Sequence, residues 1–335
     1  MSIRSFSVIV ALHNAERYLT RTLDALRAQT WRDFEVVMVD DGSTDASAEI
    51  AARYRDEDPR FTLLRTPNRG ISPARNLAVR HSGGDWLAVC DADDTWHPEK
   101  LERQAAFIER WNEREHEPIV ALGTSGLVIN ARDVITDVID VQARPPWREL
   151  TRTPPIIVPF LLINSSVVMR RDAFDHVGGY RADYTPTEDT DLWVRLSEVG
   201  AVVNLPELLM SYRVHGTNVS EGAYIGMLLN AQRVFVNADR RANGLPEWTR
   251  DEYDVALRTD PERFRRVMRT LRHLAHYNKG RIAWDNDRKG RALWSLALSM
   301  IVDAPQTMQR VKSSRILRQL VRREPAPTLA PKRSL

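Results

Sequence analysis

The stretch FSVIVALHNAERYLTRTLDALRAQTWRDFEVVMVDDGSTD, residues 6 to 45, decides the fold. Its first seven residues are a continuous apolar run rich in β-branched side chains, as expected for a strand covered on both faces. Residues 15–29 then carry Leu19, Leu23 and Leu26 at helical spacing. A second buried-strand pattern, FEVVMVD, occupies 34–40, and 43–57 opens with a Ser or Thr suited to capping a helix. Working outward, FTLLRT (61–66) reads as a strand, SPARNLAVRHS (72–82) as a short helix and WLAVC (86–90) as a fourth strand. The alternation predicts an α/β fold with a parallel sheet flanked by helices.

In such sheets ligands bind at the carboxyl ends of the strands. The chemically loaded residues stand there: His13 and Asn14 after the first strand, Asp40 and Asp41 after the second, Asp91 and Asp93 after the fourth. Asp91 and Asp93 flank Ala92, and in an extended or turning segment both carboxylates can point the same way. Together they can hold a hard cation such as Mg²⁺ or Mn²⁺, with a diphosphate behind it. An Asp-rich turn before the helix beginning near Pro98 is the plain structural alternative. In VDDGSTD (39–45), Gly42 permits a tight turn and a buried carboxylate can accept the imide N–H of a pyrimidine. Arg69 and Arg75 stand near the same rim, where arginine pairs with phosphate or stacks on a base. Glu188, Asp189 and Asp191 crowd the start of a helix at 188–199, where acids also complement the helix dipole.

From 118 to 215 the pattern is mixed, with strands near 119–130, 165–170 and 208–214 and a Pro-rich loop at 144–159. Beyond 218 the chain reads as helical and basic, with 12 Lys or Arg against 4 Asp or Glu over 281–335. ALWSLALSMIV (292–302) is too short to span a bilayer and reads as a packed helix. QRVKSSRILRQLVRR (309–323) would be an amphipathic, cationic helix able to lie on an anionic membrane surface; packing on the protein is its plain alternative. The last ten residues have the composition of a disordered tail.

The bulk numbers set limits. The 335 residues suffice for one large or two ordinary domains, and a net charge of +3 excludes polyanion binding driven by overall charge. The basic excess is confined to the tail without interleaved aromatics, which argues against a nucleic-acid partner. A single cysteine, Cys90, excludes an internal disulfide. The N-terminus is not expected to be a signal peptide, so a cytoplasmic location is expected, at the inner face of the cell membrane if the basic helix makes that contact.

Taken together, the motifs through 7–47, NRGISPARNLAV, GGDWLAVCDADD, GGYRADYTPTEDTDLWVRL and YRVHGTNVS resemble a family 2 glycosyltransferase with the GT-A fold. The resemblance implies a catalytic domain over 1–217, divided into a nucleotide-sugar half (about 1–115) and an acceptor half (116–217). A helical region (218–323) and a disordered tail (324–335) would follow. It implies that Asp41 holds the pyrimidine base, with the Ala11 backbone, Asn14, Glu16 and Arg75 nearby. Asp91 and Ala92 would contact the ribose or sugar side of a UDP-sugar. Asp93, approached by His215, would bind Mn²⁺ or Mg²⁺. Asp189, paired with Glu188, would be the base for an acceptor hydroxyl, and Trp193 would line the acceptor site. The implied reaction is inverting transfer to a glycan or lipid-linked acceptor in cell-surface polysaccharide synthesis. One departure lies at 11–13, where Ala11-Leu12-His13 replaces the family's frequent Pro-x-Tyr. A sugar-nucleotide pyrophosphorylase would need a Gly-rich N-terminal loop, which VALHNAERYL lacks; a silent sugar-binding relative would not need the Glu188–Asp189 pair.

Overall fold

The computed structural model describes residues 5–153, 155, 161–215, 224–286 and 288–313. Every residue of β1 (Phe6–Leu12) is buried, because the strand is sandwiched. Phe6, Val8, Val10 and Leu12 enter one hydrophobic core, and Ile9 and Ala11 the other. β2 (Phe34–Asp41) and β4 (Trp86–Val89) divide their side chains in the same way. That is the period-2 geometry of a strand turned into two cores. Each fully buried Leu or Val on these faces contributes roughly 1.5–3 kcal/mol.

β1 pairs in parallel with β2 and with β4, and β2 in parallel with β3 (Phe61–Thr66). The helices α1 (Glu16–Arg27), α2 (Ser47–Glu57) and α3 (Ile71–Arg80) are the crossovers. Leu19, Leu23 and Leu26 of α1 fill the first core; Ala74, Ala78 and Val79 of α3 fill the second. The sheet then turns antiparallel. β8 (Val168–Arg170) pairs antiparallel with β4 and with β6 (Ile119–Asn130), and the two-residue β5 (Thr95–Trp96) pairs antiparallel with β9 (Ala201–Val214). The order is β3-β2-β1-β4-β8-β6-β9-β5, with β7 (Ile135–Ile139) on β6. α4 (Lys100–Arg114) packs on the first core, while α6 (Arg171–His176) and α7 (Glu188–Ser197) pack on the second.

The chain divides into two compact units. The first comprises residues 1–126, 139–212 and 226–256; the second comprises 127–138, 213–225 and 257–335. α8 (Tyr224–Ala242) lies mostly in the first unit, and α9 (Arg250–Arg258) ends at its boundary. The second is built on α10 (Pro261–Asp285), α11 (Lys289–Val302) and α12 (Ala304–Ser313). Asp260 caps α10 by accepting the N–H groups of Glu262 and Arg263. Gly280 lets α11 approach closely, since a Cβ there would stand 2.8 Å from Leu296 Cγ.

Several expectations shift in detail. The helix expected from 43 begins at Ser47, and its leading N–H is met by the Asp45 carboxylate rather than by Ser43 or Thr44. Ser43 and Thr44 instead bond to Asn14. The Pro-rich loop contains a short helix, α5 (Trp147–Arg152), and the strand expected at 208–214 is the second half of the longer β9. The helix read as packed at 292–302 buries only Ala292, Ser295 and Ser299. Most of the basic helix expected at 309–323, and the tail after it, lie outside the described residues; no helix among the described residues is long and apolar enough to cross a membrane.

Candidate active site

The carboxyl ends of β1, β2 and β4 meet the start of α7. Asn14 closes β1 with a φ of 51°, a left-handed conformation that asparagine tolerates. Its Oδ1 accepts the Thr44 N–H at 2.8 Å and its own N–H donates to Ser43 Oγ at 3.0 Å. Glu16 is tied to the same loop: its carboxylate accepts the Ala46 N–H, and its own N–H donates to Asp45. Ala11 is buried in β1, opposite Val39 in register. The two acids ending β2 point to different tasks. Asp40 accepts the Ser43 N–H and pairs with Arg65. Asp41, also buried, accepts the backbone N–H groups of Arg69 and Gly70, each at 2.8 Å, which fixes the entry to α3. Gly70 takes a φ of 93° there, a region glycine occupies without strain.

α3 delivers Arg75 into the interior. Its guanidinium donates from Nη2 to Asp91 Oδ1 at 2.7 Å and from Nη1 to Glu188 Oε1 at 2.9 Å. It also lies over the ring of Tyr180, 5.2 Å from the centroid. This fork joins the acid at the end of β4 to the acid that opens α7, 113 positions beyond Arg75. Asp91 is held further by Asn164 Nδ2, 3.1 Å from both carboxylate oxygens, and its N–H donates to Ser165 Oγ. Beside Arg75, Asn76 exchanges two hydrogen bonds with the Tyr180 backbone, securing the 178–181 loop to α3.

The three acids opening α7 separate by partner. Asp191 is buried and paired with Arg181 and with Arg195, its nearest oxygen 2.6 Å from Arg195 Nη2, so it anchors the helix. Glu188 is committed to Arg75 through Oε1, while its buried Oε2 meets no hydrogen-bonding group among the described residues. Asp189 accepts only from its neighbour Thr190, and no cation pairs with it among the described residues. Burial, and after it the nearby charge of Asp91, pushes the Asp189 carboxyl above the ordinary aspartate range. Burial raises Glu188 likewise, Arg75 opposing and Asp189 reinforcing the shift. A half-buried carboxylate with raised proton affinity that forms no ion pair among the described residues has the chemistry a general base needs.

Asp93 stands half-buried two positions after Asp91, and the buried Ala92 between them lends its carbonyl to the Thr22 hydroxyl. Asp91 is thus already held by protein N–H groups. Among the described residues no three His, Cys, Asp or Glu side chains gather in metal-ligand geometry. A cation here would take one or two carboxylate oxygens and draw the rest from phosphate and water, which is the usual coordination of Mg²⁺ in phosphate sites. His215 directly follows β9 and belongs to the second unit. Trp193, expected to line the acceptor site, is 2% exposed and packs in the same core as Leu192, Val194 and Leu196. Asn164, Ser165, Asn76 and Tyr180 are not legible as site residues in the sequence, although Asn76 and Tyr180 lie within the quoted motifs NRGISPARNLAV and GGYRADYTPTEDTDLWVRL.

A family model described as glycosyl transferase family 2 matches residues 7–178. The Bacillus subtilis (strain 168) protein EpsE, which bears a glycosyltransferase name, is 30% identical over 212 residues, 62% of this chain and 72% of EpsE. The hyaluronan synthase of Pasteurella multocida is 25% identical over 249 residues, 74% of this chain but 24% of the synthase. Among solved structures, S. aureus TarS 1–349 in complex with UDP-GlcNAc superimposes with a TM-score of 0.50 at 17% identity, covering 89% of this chain and 91% of TarS. The mannosyltransferase PcManGT of Pyrobaculum calidifontis, in complex with GDP-Man and Mn²⁺, gives 0.50 at 16% identity, covering 96% and 82%. At these identities the structural likeness speaks for the fold.

Proposed function

The chain belongs to glycosyl transferase family 2 and is a glycosyltransferase of GT-A fold, and from that premise we propose inverting transfer of a sugar from a UDP-sugar to a hydroxyl of a glycan or glycolipid, in polysaccharide synthesis. The observation that carries this reading is the Arg75 fork, which brings the acid ending β4 and the acids opening α7 to one place. Asp189 then takes the proton from the acceptor hydroxyl as its oxygen attacks the anomeric carbon opposite the leaving UDP. Glu188, held by Arg75, positions the start of α7. Asp41 faces the base, near the Ala11 backbone, Asn14, Glu16 and Arg75, and Asp91 and Ala92 face the ribose or sugar. Asp93 would hold a Mg²⁺ or Mn²⁺ ion. When bound, that ion would neutralise charge on the diphosphate. In domain terms we propose a catalytic domain over 1–217, a helical region over 218–323 and a tail over 324–335.

Calorimetry with UDP and Mn²⁺, run beside a transfer assay, tests these roles. Asp189→Asn should keep UDP affinity and lose ~10²–10⁴-fold in turnover, the usual share of a general base. Asp93→Ala should lose UDP affinity in Mn²⁺. Protonated Asp189 cannot act, so kcat/KM of the parent should fall on the acid side at a pH above the ordinary aspartate range, given the raised proton affinity. Equal loss of UDP binding in both variants would contradict the assignment.

A further inference from the structure

Ile301, 80% exposed, and Trp294, 67% exposed, are the two most exposed large apolar side chains among the described residues, and both lie on α11. Leu293, at 56%, and the exposed Ala297 stand on the same face, and Met308 of α12 is exposed beyond it. Positions 293, 294, 297 and 301 follow helical periodicity, so the face is one apolar strip about 12 Å long at 1.5 Å per residue. Contiguous apolar exposure of this kind marks an interaction surface.

The charges around the strip are mostly positive, with Asp303 at the end of α11 and Glu262 on α10 among the acids nearby. α11 contains no acid, and Arg288, Lys289 and Arg291 are exposed at its start. Along the neighbouring α10, Arg265, Arg269, Arg272 and Lys279 are exposed at spacings of four, three and seven, which is one helical face. Arg269 reaches to within 3.9 Å of Asp303, the residue between α11 and α12, so this basic stripe runs to the C-terminal end of α11. α10 and α11 are packed together in one unit: Ser299 Oγ lies 3.0 Å from His273 Nδ1, and Gly280 abuts Leu296.

We infer that the α10–α11 face docks on an anionic lipid surface, with Trp294, Leu293 and Ile301 entering the headgroup boundary and the α10 arginines meeting the headgroup charge. An amphipathic helix with aromatic and aliphatic residues on one side and Lys or Arg beside it binds in this way without crossing the bilayer. The charge argues against the other occupants. A second copy related by a two-fold axis would bring basic stripe against basic stripe. Residues 314–335 carry six Lys or Arg and one Glu, so they too would bring like charge to the face.

Co-sedimentation of the full chain with vesicles of phosphatidylcholine and phosphatidylglycerol, beside pure phosphatidylcholine, tests the inference. Binding is expected on the anionic vesicles in low salt, at least tenfold weaker in 0.5 M salt and at least tenfold weaker for Trp294→Ser/Ile301→Ser. Both replaced side chains are exposed, so the variant should keep the parent's melting temperature and UDP affinity. Those two readings separate a failure here from a failure of the transferase assignment. Absence of binding to anionic vesicles in low salt would overturn the inference, as would undiminished binding of the double variant. So would a dimer of the parent, seen by sedimentation velocity, that the double variant dissolves.

Discussion

The Thr22 hydroxyl lies fully buried on α1 and points its single proton between the carbonyl oxygens of Ala92, at 3.0 Å, and Asp94, at 2.8 Å. It therefore grips the turn that carries Asp91 and Asp93 without touching either carboxylate. Thr22→Val keeps the shape and removes the donor, at a cost of about 1–3 kcal/mol for the polar groups left behind. UDP affinity in Mn²⁺ should fall several-fold, and Thr22→Ser should restore it; unchanged affinity in the valine variant would remove the positioning role. At this scale the acids were legible because carboxylates ending apolar strands are conspicuous. Thr22, Asn76 and Asn164 were not, since their partners are backbone atoms or side chains 70 or more positions away.

α4 illustrates an element whose sequence misleads. KLERQAAFIERWNER reads as a surface helix with charged ends, yet Lys100 is fully buried. Its Nζ donates to Gln104 Oε1 at 2.8 Å and lies 3.8 Å from the centroid of the Trp96 ring. Burial lowers its pKa to about 7. The unfolded chain holds that proton up to the ordinary lysine range near 10.5, so between these values the unfolded state binds more protons and stability rises with pH. Lys100→Met should lack this slope. Its stability relative to the parent should therefore improve as pH falls from 9 to 7, by up to about 1.4 kcal/mol per pH unit, measured by urea unfolding. A difference that stays constant with pH would place the charge change elsewhere. α7 shows the converse: three acids at a helix start were legible, but their separation into anchor, fork partner and a carboxylate without an ion pair among the described residues needed Arg181, Arg195 and Arg75, none adjacent in sequence.

For the whole molecule, the βα repeat of the first 90 residues was legible because strands buried on both faces write an unbroken apolar code. The second unit was less so. Its helices carry arginine on exposed faces and little apolar period, and α11 was read as packed although it leaves Trp294 and Ile301 in solvent. Binding of a ligand to the folded chain alone raises its melting temperature by mass action. UDP at about 100 times its dissociation constant, with Mn²⁺, should add about 2.7 kcal/mol, a rise of several degrees by calorimetry. EDTA should abolish most of that rise, and a rise unaffected by EDTA would argue against metal-assisted binding.

The Arg75 fork also constrains how this chain can drift. Its one positive charge is shared between two acids from distant segments. Losing the arginine alone would strand both acids without their shared cation; losing either acid alone would shift the charge balance onto the other. A sequence lineage can therefore leave this arrangement only through paired replacements. Double-mutant cycles among positions 75, 91 and 188 should accordingly deviate strongly from additivity.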